Sequence, residues 1–308
     1  MSWSISLKHN KILFLSTVVF GTLLPNLQAH EFDKSLNIDN QSISSVSAAK
    51  LIAFRGSTQV EEPLFLGTST NENDPSGTLN NVYSINTSTD VSTVITSGIG
   101  VWGATADIKN QRILFTRSSG LTPLPKQIVG GDELFEVPYF GGPPVSMGRI
   151  TDGSGNGFRI DGLAMSSDVL YGVHAGGNEI NGLYSIDLQT FLVTNIALFP
   201  DSISGLGADP RTSIIYGTND TTGQLVSIST TGLITNIAPY PDSITDIDGL
   251  AIGNGLAYLV IDEPGFIPVY DLVHNTYVTS LTSPFTTADD FTGAALAVTD
   301  VIFENSFE

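Results

Sequence analysis

One unit recurs along the stretch from Asp161 to Phe291, and that recurrence leaves few folds open. Gly162, Gly205, Gly249 and Gly293 are separated by 43, 44 and 44 residues. They sit in Asp161-Gly162-Leu163-Ala164, Ser204-Gly205-Leu206-Gly207, Asp248-Gly249-Leu250-Ala251 and Thr292-Gly293-Ala294-Ala295. An apolar run with an aromatic follows each of the first three: Val169-Leu170-Tyr171-Gly172, Ile214-Ile215-Tyr216-Gly217 and Leu256-Ala257-Tyr258-Leu259. Next come Leu183-Tyr184-Ser185-Ile186-Asp187, Leu225-Val226-Ser227-Ile228-Ser229 and Val269-Tyr270-Asp271-Leu272. The fourth run is Val193-Thr194-Asn195-Ile196, then Ile234-Thr235-Asn236-Ile237, then Val278-Thr279-Ser280-Leu281.

Each unit therefore offers four short runs rich in β-branched and aromatic residues, divided by Gly, Asn, Asp, Ser and Thr. That is the pattern of strands and turns. Four strands in a period of roughly 40–50 residues predict an all-β propeller. One four-stranded sheet cannot bury both faces, whereas blades packed face to face around an axis can. The small residues of Gly-Leu-Ala and Gly-Leu-Gly suit the crowded strand nearest the axis. The order Leu-Tyr-Gly, Leu-Tyr-Ser-Ile-Asp, Val-Thr-Asn-Ile also resembles bacterial secreted propeller repeats of the YVTN and quinoprotein-like type. That resemblance implies a fold and leaves the substrate open.

Less regular copies flank the clean ones. Lys50 to Phe54 and Pro63 to Gly67 read as the inner strands of one blade, and Val82-Tyr83-Ser84-Ile85-Asn86 and Val91 to Ile95 as its outer pair. Trp102-Gly103-Ala104-Thr105, Ile113 to Thr116 and Leu134 to Val137 begin another. Leu36 to Asp39 and Ser42 to Val46 look like an outer pair without inner strands, while Thr292 to Ala297 and Asp300 to Phe303 look like inner strands without an outer pair. The economical expectation is a propeller over residues 35–303 with six blades, closed by one composite blade built from both ends; five or seven blades are the alternatives. Closure removes sheet edges that would otherwise template association, and the protein is expected to be a monomer.

The N-terminus reads as an address. Lys8, His9 and Lys11 precede an apolar run of 13 residues, Ile12 to Leu24, and Ala29 suits a cleavage point. Residues 1–29 thus read as a secretory signal peptide, too short for a membrane span, with residues 30–34 as a polar lead-in. The expected location is secreted or periplasmic. Removing two lysines with that segment takes the formal charge from −19 to −21. Such a surface disfavours nucleic acid and anionic lipid and favours solubility or cation binding. The absence of cysteine excludes disulfides, thiolate metal sites and thiol catalysis. Residues 304–308 form a tail. With Ile302 and Phe303 it resembles a C-terminal tail of secreted gammaproteobacterial proteins, although Ser306 stands where that pattern has glycine.

Catalytic signatures are sparse. His174 and His274 are the histidines within the repeats, and no Gly-x-Ser-x-Gly elbow is present. Two distant histidines do not make a zinc site. Glycine-rich phosphate loops in a strand-to-helix setting are missing, and no motif selects a glycosidase pair of carboxylates. Calcium prefers oxygen ligands. Asp161, Asp246, Asp248, Asp289 and Asp290 all precede a first strand, so they are expected near one mouth of the axial channel. There they suit a calcium ion, or they cap turns, as Asp before Gly commonly does. The step from Gly103 to Gly162 is 59 residues, longer than the others. Its excess falls in Ser118–Asp132, with Pro123 and Lys126, and in Gly141–Gly157, with Pro144, Met147 and Arg149. These two segments read as insertions on a face, where a protein or glycan ligand would bind. The expected function is a non-enzymatic binding scaffold. A calcium-assisted lactonase, esterase or lyase at the channel mouth is the alternative, and an envelope-associated structural protein is the third.

Overall fold

The computed structural model describes residues 63–68, 81–117, 132–174, 181–242, 244–261, 265–284 and 291–298. All of them fall in one compact unit spanning Ser57–Glu308. Among them the only regular secondary structure is β-strand. Blade 1 contains β1 (Pro63–Thr68), β2 (Asn81–Asn86) and β3 (Val91–Ser97). Blade 2 contains β4 (Val101–Asp107), β5 (Arg112–Arg117), β6 (Glu133–Pro138) and β7 (Val145–Arg149). Blade 3 contains β8 (Gly162–Ser166), β9 (Val169–His174), β10 (Gly182–Ile186) and β11 (Val193–Leu198). Blade 4 contains β12 (Ile203–Ala208), β13 (Ile215–Asn219), β14 (Gln224–Ile228) and β15 (Ile234–Pro239). Blade 5 contains β16 (Gly249–Gly253), β17 (Leu256–Val260), β18 (Phe266–Asp271) and β19 (Thr276–Thr282). The last strand, β20 (Phe291–Leu296), returns to blade 1 and gives it the order β20-β1-β2-β3.

The blade count corrects the first expectation and agrees with one of its alternatives: the described residues form five four-stranded sheets, not six. The ends do share a blade, but with a different division of strands. β20 pairs antiparallel with β1, Leu64 opposite Leu296 and Leu66 opposite Ala294. It therefore fills the innermost slot of blade 1 that Lys50–Phe54 was expected to take. The inner strands then close a ring without a gap: β20 packs on β4, β4 on β8, β8 on β12, β12 on β16, and β16 back on β20. No space is left for a sixth blade. The expected strands at Leu36–Asp39, Ser42–Val46, Lys50–Phe54 and Asp300–Phe303 lie outside the described residues.

Why the inner strands need small residues is visible at Gly103 and Gly162. A Cβ on Gly103 would lie 2.6 Å from the carbonyl oxygen of Asp161, and one on Gly162 would lie 2.5 Å from that of Ser204. Blades thus meet backbone to backbone near the axis. Buried threonines stitch the same seam. The Gly103 amide donates to Thr116 Oγ1 at 2.9 Å, and that hydroxyl donates to the Ile160 carbonyl of the next blade at 3.2 Å. Thr218 repeats the arrangement with Gly205 at 2.6 Å and Ile247 at 2.8 Å. Between blades, the core is carried by residues such as Phe65, Phe115 and Val137 on one side, and Leu225, Leu250 and Leu259 on another.

Further out, the repeat specifies its turns. The residue ending or following the third strand accepts hydrogen bonds from backbone amides two to four residues on: Asn86, Asp187, Ser229 and Asp271. This is the Asx or Ser/Thr turn, and it explains why Asn, Asp or Ser stands at this place in these four blades. Amide hydrogen bonds hold the exposed Asp187 carboxyl below the usual range. Across the closure, Asp90 accepts from the Thr282 amide at 2.9 Å and its hydroxyl at 2.6 Å, which ties blade 5 to blade 1.

Substituting Gly162→Ala should lower the unfolding free energy by about 1–3 kcal/mol, because the methyl group meets backbone that cannot yield. Gly153→Ala, at a position where a Cβ meets nothing within 4 Å, should stay within about 0.5 kcal/mol of the parent. Urea titration of both variants checks this, and equal midpoints would contradict the backbone contact between blades.

Candidate functional site

The residue before each inner-strand glycine occupies the same height on the ring, so Trp102, Asp161, Ser204 and Asp248 come to one end of the axis. The second strand of a blade runs antiparallel to the first and ends at that same height. It delivers Asp220 just after β13 and His174 at the end of β9. With Arg159, Ser202 and Asp246 from the connectors, Trp102, Asp161, Ser204, Asp220 and Asp248 line a pocket of about 320 Å³, and the buried His174 stands behind Asp161. Deeper along the axis, between Ala106, Leu206, Ala251 and Ala295, the open space shrinks to about 20 Å³. That is room for a single water, so the mouth is a cup and not the opening of a wide channel.

One side of the cup is built around Asp161, which is buried. Its Oδ1 accepts from Trp102 Nε1 at 2.6 Å and from Arg159 Nε at 2.7 Å, and Oδ2 lies 3.2 Å from His174 Nδ1. The Arg159 guanidinium carbon stands 5.2 Å from the centre of the Trp102 ring. The cup therefore already holds one guanidinium between an aromatic face and a carboxylate, two favourable settings for that cation.

The other side is built around Asp220, which is half-buried. It accepts from the Ser204 hydroxyl, from Tyr240 Oη at 3.0 Å and from the Ile247 amide at 3.3 Å. Burial pushes its carboxyl up to about 6, and the negative charge of Asp246 adds to the shift, while its hydrogen bonds oppose it. Burial, followed by the charge of Asp220, also raises the Tyr240 phenol well above its ordinary value. Asp246 is exposed and Asp248 half-buried. Four carboxylates thus surround an opening that contains a single arginine and no lysine among its described lining residues.

Of the expected cation ligands, Asp161, Asp246 and Asp248 meet at this mouth, and Asp289 and Asp290 lie outside the described residues. Among the described residues, no three carboxylate or imidazole groups gather in a metal-holding arrangement. The expected binding residues are dispersed. Pro123 and Lys126 lie outside the described residues. Pro144 is half-buried just before β7, and Met147 packs against the core of blades 2 and 3. Arg149 is exposed and donates to Asp132, Nε at 2.8 Å and Nη2 at 2.7 Å. Gly141–Gly157 is therefore not wholly an insertion, since it contains β7, the outer strand of blade 2. His274 is exposed, with Nδ1 2.8 Å from Asp271 Oδ2. Sequence reasoning missed Trp102, Arg159 and Asp220 as site residues. For Trp102 the signal was its place before Gly103, equivalent to Asp161 before Gly162.

No family model and no curated protein matches this chain. Among solved structures, a chain from the nidogen/laminin complex superposes with a TM-score of 0.51 at 9% identity, covering 78% of this chain and 99% of that one. A structural-genomics protein of unknown function from Bacteroides thetaiotaomicron gives 0.49 at 13% identity, over 78% of this chain and 66% of that one. The likeness concerns the fold alone. Five four-stranded sheets on a closed inner ring make this protein a β-propeller.

The raised Asp220 carboxyl sets a pH dependence. Between the ordinary 3.8 and about 6 the folded protein binds this proton more tightly than the unfolded chain does. The contribution of Asp220 to stability therefore falls as pH rises through that window. The difference in unfolding free energy, parent minus Asp220→Asn, should drop on the order of 2 kcal/mol from pH 4 to pH 7. A difference that stays level or rises would contradict the burial of this carboxyl.

Proposed function

We propose that this chain is an exported binding scaffold of the bacterial secreted propeller-repeat type, and that its acidic mouth receives a basic side chain of a protein partner. The observation that carries the reading is the asymmetry of the cup. Trp102 and Asp161 hold the internal guanidinium of Arg159, while Asp220, Asp246 and Asp248 face the same space with Ser202 and Ser204. An entering ammonium or guanidinium would relieve the repulsion between Asp220 and Asp246 and would find hydroxyl acceptors beside it. The width of the cup suits an organic cation, since its carboxylates surround a volume rather than a point. A structural neighbour drawn from a protein–protein complex is compatible with this use of the fold. Calcium at the same carboxylates, activating water for hydrolysis, is the rival reading.

The test is fluorescence anisotropy with labelled tetra-arginine, tetra-lysine and a Gly-Ser peptide of equal length. The basic peptides should bind and the neutral one should not. Asp246→Asn/Asp248→Asn should weaken binding at least about tenfold, or 1.4 kcal/mol, whereas Asp187→Asn, on an outer turn, should leave it unchanged. Equal loss in both variants would reduce the effect to general surface charge and overturn the assignment. Calcium-dependent ester or lactone hydrolysis lost with Asp246 and Asp248 would replace it with the enzymatic reading.

A further inference from the structure

A second concavity lies between blades 1 and 2, at the strand ends opposite the acidic mouth. Its floor is the face of blade 1. Pro63 pairs with Asn86 and Asn86 with Val91, so these three form one cross-strand row. Two residues along, Ser84 pairs with Thr93 and forms the next row on the same face. The wall comes from blade 2, where Tyr139 stacks on Phe65 with ring centroids 5.9 Å apart and Phe140 follows it. The groove is open to solvent on one side and has a volume of about 570 Å³.

Two properties set this groove apart from the acidic mouth. None of its described lining residues is charged, in a chain with 31 acidic residues. Yet the lining is not simply apolar: Ser84, Asn86, Thr89 and Thr93 present hydroxyl and amide groups beside Pro63, Val91 and the two aromatics. The buried Tyr139 hydroxyl has no hydrogen-bond partner among the described residues. Burial, and then the charge of Asp107, keeps it protonated by raising it above the ordinary phenol value. Phe140 is 91% exposed. It sits at the tip of a turn closed by the Gly141 amide on the Pro138 carbonyl at 2.9 Å, and anchored by the Tyr139 amide on the Gln111 carbonyl at 3.0 Å. A firmly held turn thus presents a bare ring beside a floor of hydroxyl and amide groups.

We propose that this groove between blades 1 and 2 binds a neutral oligosaccharide. A pyranose has a C–H face that packs on an aromatic ring and a rim of hydroxyls that both donate and accept. The groove offers a counterpart to each: the Phe140 ring for the face, and the Ser84, Thr93 and Asn86 side chains for the rim. The lack of charged residues favours uncharged sugars over acidic ones. Val91 and Thr93 belong to the outer strand β3, but they share one sheet face with Pro63, Ser84 and Asn86. The groove is thus lined by side chains of a face rather than by edge backbone, which argues against a peptide added as an extra strand. This site is independent of the acidic mouth, and either can fail without the other.

Saturation-transfer NMR with maltotriose, cellotriose, chitotriose and xylotriose tests the assignment. At least one trisaccharide should bind. Phe140→Ser should weaken it by at least about tenfold, with an unchanged melting temperature because the ring is exposed in the free protein. Thr93→Val should weaken it less, and Asp246→Asn/Asp248→Asn should leave it unchanged. Binding by none of the four sugars, binding that survives Phe140→Ser, or Phe140-dependent binding of oligogalacturonate alone would overturn the proposal.

Discussion

The pairing of β20 with β1 is the contact on which the other features rest. Leu64 to Gly67 lie opposite Leu296 to Gly293, so the first described strand is completed by the last. Without that pairing blade 1 would expose an inner edge of unsatisfied amides and carbonyls toward the axis. The blade would also lack the surface on which β4 and β16 pack. Bringing such distant segments together carries an entropic cost that grows only slowly with loop length. The gain is a ring in which each inner strand is flanked on both sides. The Asp90 bonds to Thr282 add a second tie across the same junction.

The chemistry of the mouth follows from that closure. Only in a closed ring do the residues before successive inner glycines face one another, and only then do Trp102, Asp161, Ser204 and Asp248 share an opening. The backbone approach at Gly103 and Gly162 sets the narrowness of the axis and makes the cup blind. Burial, with the charge of Asp246 added to it, raises the Asp220 carboxyl to about 6. The groove between blades 1 and 2 depends on the closure in another way, since its floor is the face of the composite blade.

Much of this was legible in the chain. The glycine period gives the strand order within each blade and places Asp161, Asp246 and Asp248 at one end of the axis. Asp220 was hidden because it follows a second strand, and its return to the mouth is a consequence of antiparallel pairing that a scan for acids before glycine passes over. The count of blades was not legible. Lys50–Phe54 and Thr292–Ala297 both have the composition of an inner strand, and composition does not say which one takes the slot beside β1. The outer strand β7 was hidden by its own glycine. Gly148 reads as a loop residue, yet a Cβ there would lie 2.4 Å from the Phe191 ring of the next blade, so packing requires it. Phe140 shows the opposite problem: an aromatic beside Gly141 and Gly142 gives no sign in sequence that its ring stands in solvent.

The closing register can be tested directly, because the chain has no cysteine of its own. In Leu66→Cys/Ala294→Cys the two thiols would belong to directly opposed residues of β1 and β20, within reach of a disulfide. Oxidative refolding followed by peptide mapping should recover the two segments as one cross-linked species from monomeric protein, while a mismatched pair, Leu66→Cys/Ala164→Cys, whose residues belong to different core clusters, should not cross-link. Free thiols in the matched pair, or efficient cross-linking in the mismatched one, would mean that the ring is not closed by this strand.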